Sequence, residues 1–365
     1  MYRKNSTSIK DTSIVKLRFK NGWIEAGRKR KTLVAALIGA NNEDCYKLQL
    51  RKIELLSSML DGPDIISDLS IIRLRNKKPL WLQIIMETGC IAATVPVYVV
   101  RFGNRGISSD ELLDICLEQM EQGVGIITIH PTPTKELFEL SQKRLVPCTS
   151  RGGGIVLQDA AIKGWKQDNV YLTILPELIS AAKKYGTVIS IGTTFRSANI
   201  FDSNDEAQQK EIRFQLDLAK KIAKDGVGVI IESPGHARPE DIKKIASILR
   251  EGNFPVMPLG PIPTDIAIGM DHVSAAIGAT LLGLEGCAHI LAAVTREEHT
   301  GGTPTIESTI EAVKAARIAA HIIDIHILKD DAVDLEIAKY RGEHSTCIFG
   351  QRTKGCERCG GACPL

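Results

Sequence analysis

Short runs rich in Val and Ile alternate along the chain with longer charged stretches. The runs are LVAALI (33–38), DIISDLS (64–70), AATVPVYV (92–99), GVGIITIHP (123–131), TVISIGTT (187–194), GVGVIIESP (226–234), FPVMPLGP (254–261) and AHILAAVTR (288–296). Within them apolar residues follow one another almost without polar alternation, as expected of parallel strands buried on both faces. The stretches between, such as SDELLDICLEQMEQG and EIRFQLDLAKKIAKDG, have the spacing of amphipathic helices that cover a sheet. Eight such units predict an α/β fold, a (β/α)8 barrel over 33–302. A doubly wound open sheet fits less well, because only IGANN follows the first run where a glycine-rich nucleotide loop would stand.

Beyond the eighth run, Thr303 and Pro304 are placed to cap and begin a long helix through IESTIEAVKAARIAAHIIDI. His321 lies in it on an apolar background suited to a core or interface role. The expected organisation is a short N-terminal segment (1–32), the catalytic barrel (33–302), a helical region (303–345) and a Cys-rich tail (346–365).

Polar residues gather where the strand-like runs end: Asp68, Tyr98, His130, Arg196, Glu232, His236 and the stretch Glu297 to His299. In such a barrel that is the catalytic face. The segment PCTSRGGG (147–154) adds a glycine-rich turn in which Ser150, Arg151, Gly152 and Gly153 suit a phosphate group.

Composition narrows the class without naming the chemistry. The chain has 365 residues, 44% of them hydrophobic, with 46 Lys plus Arg against 43 Asp plus Glu. That is enough apolar material for one large core and excludes disorder, fibre and small disulfide scaffold. No run reaches the roughly 18–20 apolar residues of a membrane span, and the first twenty residues lack a signal-peptide block. A cytoplasmic enzyme is expected. The basic patch RKRK (28–31) reads as solvated surface, so neither nucleic acid nor membrane is an expected partner.

The cysteines form two populations. Cys45, Cys90, Cys116, Cys148 and Cys287 are scattered through apolar or mixed sequence and suit a reduced interior. Cys356, Cys359 and Cys363 crowd into GCERCGGACPL. Thiolates spaced Cx2Cx3C converge in a tight glycine-rich loop and leave one coordination position open. This spacing admits an iron-sulfur cluster, a zinc ion completed by water, histidine or Cys347, or no metal. Separately, His236 and His299 follow the sixth and eighth runs, a placement that in a closed barrel allows them to face one another across the mouth. They form a candidate divalent metal pair, with Glu298 or His272 as further candidates.

The segments SRGGGI, VIIESPGHARPEDI, PLGPIPTDIAIGMDHVSAAIGATLLGLEGCAHILAAVTREEHTGG and CERCGGAC resemble the phosphomethylpyrimidine synthase family, radical S-adenosylmethionine lyases of thiamine pyrimidine synthesis. The resemblance spans roughly 33–365 and marks the chain as a divergent and shortened member. It implies a homodimer, an external one-electron donor, and a [4Fe-4S] cluster on Cys356, Cys359 and Cys363 whose open iron binds S-adenosylmethionine. It also implies an auxiliary divalent metal, zinc or iron, on His236 and His299. The substrate would be 5-aminoimidazole ribotide or a related phosphorylated heterocycle. Tyr98, His130 and Glu232 would be catalytic, with Ser150, Arg151, Gly152, Gly153, Arg196 and Glu232 holding the substrate. A 5-hydroxybenzimidazole synthase-like activity in cobamide lower-ligand synthesis is the near alternative. A zinc-stabilised metabolite-binding or partner subunit is the distant one.

The departures from the family pattern are specific. NANIG is here AALIG, placing Ala35 and Leu37 where amides are usual. Ser67 replaces a Met, Thr193 an Asp, Ser233 a Gly, Met270 a Tyr and Ala293 an aromatic, and Cx2Cx3C is one residue shorter than the usual cluster spacing. These changes point to an altered substrate cavity more than to altered radical initiation.

Overall fold

A computed structural model describes residues 11–74 and 76–349, together with Cys359 and Ala362. The first elements are an antiparallel hairpin, β1 (Ile14–Phe19) and β2 (Gly22–Gly27), joined across Lys20 and Asn21 with Phe19 opposite Gly22. There follow β3 (Leu33–Ile38), α1 (Glu43–Ser58), β4 (Ile65–Asp68), α2 (Leu80–Glu87) and β5 (Ile91–Thr94), the last leading into a 3-10 turn at Pro96–Tyr98. A small hairpin, β6 (Phe102–Gly103) and β7 (Gly106–Ile107), precedes α3 (Ser109–Gln122) and β8 (Ile126–Ile129). Next come α4 (Lys135–Ser141), α5 (Arg151–Ile162), α6 (Val170–Thr173), α7 (Leu175–Tyr185), β9 (Val188–Ile191) and α8 (Glu206–Lys224). The chain closes with β10 (Val229–His236), α9 (Pro239–Arg250), β11 (Val256–Ile262), α10 (Asp271–Leu284), β12 (Ile290–Ala293), α11 (Ile306–Leu328) and α12 (Ala332–Glu343).

Eight strands form one parallel sheet in the order β11-β10-β9-β8-β5-β4-β3-β12. Each coincides with one of the eight apolar runs, and the fold is a (β/α)8 barrel. The seam between β11 and β12 is bridged by His289: its N–H donates to the Val256 carbonyl (2.9 Å), and its Nδ1 accepts from the Val256 N–H (3.0 Å). The ring must be neutral to accept there, and burial pushes its pKa down to about 4.

Alternation along the strands divides the core in two. Val34, Ala36, Ile38, Ile66, Ile127, Ile189 and Ile231 face the helices. Leu33, Ala35, Ile65, Ile91, Ile126, Val188, Ile230 and Ile290 face inward, where they meet Val15, Leu17 and Ala26 of the hairpin. The segment expected only as a short N-terminal stretch (1–32) therefore packs its hairpin into the N-terminal end of the barrel.

Two further expectations are corrected. The long helix α11 is capped by Thr305, not Thr303. The Thr305 side chain accepts from the Ser308 N–H while the Ser308 hydroxyl receives the Thr305 N–H, a reciprocal box that the Thr303–Pro304 placement lacks. Pro304 lies before the helix, its carbonyl accepting from the buried Lys52 Nζ at 2.7 Å. His321 is no core residue either: its Nε2 pairs with Asp334 Oδ2 at 2.6 Å and ties α11 to α12. Among the described residues no helix is long and apolar enough to cross a membrane.

Candidate functional site

The C-terminal ends of the barrel strands enclose a cavity of about 290 Å3. Of the residues expected there, Tyr98, His130, Ser150, Arg151, Arg196 and Glu232 all line it. Several strands and two loops bring them together, which is why they are scattered in sequence.

Glu232 projects from β10 with its Oε1 accepting from the Thr128 hydroxyl of β8 (3.0 Å) and the Ser190 hydroxyl of β9 (3.3 Å). Burial raises its pKa, and the positive charge of Arg196 opposes that rise. Arg196 itself is steadied by a hydrogen bond from Nη1 to the Thr193 hydroxyl (3.2 Å). Tyr98 sits under the Arg151 guanidinium, whose central carbon is 5.3 Å from the ring centroid. Burial also raises the Tyr98 pKa, so the phenol keeps its proton.

His130 follows β8 directly and sits inside a glycine frame. A methyl group at Gly152 would lie 2.3 Å from its Cε1, and one at Gly192 would lie 2.7 Å from its Nε2. Burial, reinforced by Arg196, pushes the imidazole down to about 3, so it is neutral near pH 7. Its Nδ1 is buried without a protein partner among the described residues. A base this weak donates or accepts a hydrogen bond and removes a proton from carbon poorly.

The glycine-rich segment starts α5. Ser150 is its N-cap, with Oγ accepting from the Gly153 N–H at 3.2 Å. Gly152 and Gly153 do not line the cavity. They let the helix start press against His130 and Thr194, and a Cβ at Gly153 would lie 2.6 Å from the Thr194 Cα. The opening N–H groups of α5 and the Arg151 side chain form an anion-favouring edge.

At the rim, His236 ends β10 and His299 follows β12. Their Nε2 atoms are 3.2 Å apart, while Nδ1 of each ring is held at 2.6 Å by a carboxylate, Asp265 for His236 and Asp271 for His299. Asp265 also accepts the Ile200 N–H, and Asp271 the Gly269 N–H, so both orienting carboxylates are anchored. With Nδ1–H donated to aspartate, each Nε2 presents a lone pair to the other, an arrangement favourable only with a cation or proton between. Two imidazoles bound at roughly 2.0–2.1 Å to one tetrahedral ion stand about 3.3–3.4 Å apart, so the pair fits a divalent metal. No group of three or more His, Cys, Asp or Glu side chains converges among the described residues. His272 is not part of the pair, and Glu298 lines the cavity.

One expectation at a strand end resolves differently. Asp68 accepts from the Ser70 N–H and hydroxyl and from the Trp81 N–H, clasping its own loop instead of facing the cavity. Cys356 and Cys363 lie outside the described residues, whereas Cys359 and Cys347 are exposed thiols. Sequence reasoning missed the orienting role of Asp265 and Asp271, for which TDIAIGMDH held both residues but no spacing that singles them out. Of the departures from the family pattern, Ala35, Leu37, Ser67, Thr193 and Ser233 all line the cavity.

A profile described as the Radical SAM ThiC family matches residues 11–348. The phosphomethylpyrimidine synthase of Pyrobaculum aerophilum is 32% identical over 378 residues, covering 94% of this chain and 85% of that one. Phosphomethylpyrimidine synthase 1 of Saccharolobus solfataricus is 33% identical over 318 residues, covering 78% and 72%. The phosphomethylpyrimidine synthase of Caldanaerobacter subterraneus subsp. tengcongensis is 34% identical over 329 residues, covering 86% and 74%.

Proposed function

The chain belongs to the radical SAM ThiC family, and from that premise we propose that it is a carbon–carbon lyase acting on 5-aminoimidazole ribotide or a related phosphorylated heterocycle. The observation that carries the reading is a single cavity in which Arg151, Arg196, Glu232, Tyr98 and a neutral His130 converge, with a carboxylate-oriented histidine pair at the end of β10 and beyond β12, next in sequence to the lining residue Glu298.

In this reading Cys356, Cys359 and Cys363 hold a [4Fe-4S] cluster, and His236 and His299 hold a divalent ion. The cluster with S-adenosylmethionine supplies a 5′-deoxyadenosyl radical when an external donor delivers one electron. The chain's own residues then do four things. Arg151 and the start of α5 bind the phosphate, with the Ser150 hydroxyl at the same edge. The Glu232 carboxylate, fixed by Thr128 and Ser190, accepts hydrogen bonds from the heterocycle or ribose. His130 and Tyr98 remain neutral and hydrogen-bond the substrate without placing a second charge beside it. The buried walls keep solvent from a reactive intermediate. A second copy of the chain completes the assembly in the manner the family resemblance implies.

The departures that line the cavity leave a second reading standing at the level of product, without choosing between the two. Ala35 and Leu37 remove polar contacts from one wall, while Thr193 and Ser233 offer hydroxyls in place of a carboxylate and a glycine. A rearrangement that directs the same substrate toward a hydroxybenzimidazole is consistent with that exchange.

The test is anaerobic reconstitution. About four iron and four sulfide per chain, with reduction-dependent release of 5′-deoxyadenosine, is the expected result. Stoichiometric zinc without a cluster would instead support a zinc-stabilised binding subunit and overturn the lyase. Mass spectrometry of the product from 5-aminoimidazole ribotide then separates hydroxymethylpyrimidine phosphate from hydroxybenzimidazole. Undiminished 5′-deoxyadenosine formation in Cys359→Ala would reject that thiol as a ligand.

A further inference from the structure

Strands β9 and β10 are paired only as far as Ile191 opposite Ile231, and the chain rejoins the sheet at a lone bridge between Ser197 and Gly235. Between those points neither strand has a ladder partner on the facing side. That gap is where Thr193, Arg196, Glu232 and Ser233 line the cavity. Unpaired backbone there would be costly in a buried setting.

Helix α8 supplies the missing partners with side chains. Gln208, Glu211 and Gln215 lie three and four residues apart on one face of the helix, and they are 1%, 0% and 0% exposed. Gln215 Nε2 donates to the Ile191 carbonyl (2.8 Å) and to the Glu232 carbonyl (2.9 Å), spanning the two strands where their own pairing stops. Glu211 accepts the Thr194 N–H at 2.6 Å and the Phe195 N–H at 2.9 Å. Gln208 Nε2 donates to the Pro234 carbonyl at 2.6 Å. On the far side of the loop, Arg144 Nη1 donates to the Phe195 carbonyl at 2.6 Å, while its Nε and Nη2 are held by Asp205.

The bonds divide by site residue. Glu211 and Arg144 grip the residues immediately before Arg196, from the N–H side and the carbonyl side respectively. Gln215 grips the peptide of Glu232 itself. None of the three α8 side chains lines the cavity. Two neutral amides and one carboxylate on a helix whose remaining buried face is aliphatic are expensive to bury; apart from the Asn204 N–H that Gln208 Oε1 accepts at 2.7 Å, their bonds to backbone go to residues 191–195 and 232–234, on either side of the gap.

We propose that Glu211 and Gln215 are positioning residues that fix the Arg196 guanidinium relative to the Glu232 carboxylate, and thereby set the affinity of the cavity for its substrate. Asp324 provides the structural control. It is equally a buried carboxylate gripping backbone, accepting the Thr32 N–H (3.0 Å) and hydroxyl (2.7 Å), but it joins α11 to the start of β3 at the opposite end of the barrel.

The experiment compares Gln215→Leu, Glu211→Gln and Asp324→Asn in the anaerobically reconstituted full chain. All three are expected to melt below the wild type. Only the α8 variants should raise KM for 5-aminoimidazole ribotide, by about tenfold with kcat held within about twofold, since a lost buried bond costs about one power of ten. Crystal structures of the variants supply a readout independent of any substrate: the 192–196 loop and the Glu232 peptide should move in Gln215→Leu and Glu211→Gln and stay in place in Asp324→Asn. This substrate arm rests on the proposed function. If the wild type does not bind the ribotide, that function falls while the crystallographic comparison still decides the positioning role. Loop and Glu232 positions unchanged in both α8 variants, or a KM rise equalled by Asp324→Asn, would overturn it.

Discussion

His236 and His299 point their Nε2 atoms at each other across 3.2 Å, and each is held from behind by an aspartate. The divalent ion proposed for the pair would depend on both layers. Removing the outer one, as in Asp265→Ala, is expected to weaken zinc binding by about 10–100-fold, and His236→Ala should remove it. Competition with a chromophoric chelator measures both. Wild-type zinc affinity in His236→Ala would assign the ion elsewhere.

The glycine frame around His130 makes a stability prediction. A methyl group at Gly152 overlaps the imidazole, and one at Gly153 overlaps Thr194 backbone. Gly152→Ala and Gly153→Ala should each destabilise the protein by about 1–3 kcal/mol in urea unfolding, as overpacked cores do. The Gly153 change should be the more severe, because a backbone atom yields less readily than a ring.

His130, held down at about 3, contributes no ionisation near neutrality. His130→Asn should therefore lower kcat/KM without changing the shape of its profile between about pH 6 and 8. Loss of an ionisation in that window on substitution would show that the imidazole titrates there and transfers a proton.

Burial raises the Glu232 pKa, and Arg196 restrains the rise. In Arg196→Met the restraint is gone, so the Glu232 pKa should climb further. Carbon NMR of labelled glutamate follows this directly, and a fall would contradict the assigned charge contact.

At the barrel seam the sign runs the other way. His289 has a folded-state pKa of about 4 against an ordinary value of 6.5. Between those values the unfolded chain binds the extra proton. His289 therefore contributes fully above about pH 6.5, and its contribution declines by about 3 kcal/mol as pH falls toward 4. The stability difference between wild type and His289→Gln should shrink over that interval, as read from urea midpoints. A constant difference would mean that the seam tolerates a charged ring.

What could be read from sequence followed the physical uniformity of each signal. Eight buried parallel strands announced themselves because nothing polar interrupts them, and the polar residues at their ends announced the cavity. The N-terminal hairpin was missed although Val15 and Leu17 alternate with polar residues and Asn21-Gly22 marks a turn. Its charged residues, and the RKRK patch that follows, left it as no more than a short N-terminal segment. The α8 polar stripe was hidden for a related reason: Gln208, Glu211 and Gln215 look like the wet side of an amphipathic helix, and only the end of the β9–β10 ladder turns that side inward. Thr303 and Thr305 compete as caps within three residues, and the choice rests on Ser308, three positions beyond the true cap.

The hydrophobic hairpin residues seated below the strands have a consequence for traffic. Their side chains close the barrel at that end, so exchange with the chamber runs past the strand ends that carry its polar lining. Glu298 lines that chamber one residue from His299, so whatever the histidine pair binds lies next in sequence to the chamber wall.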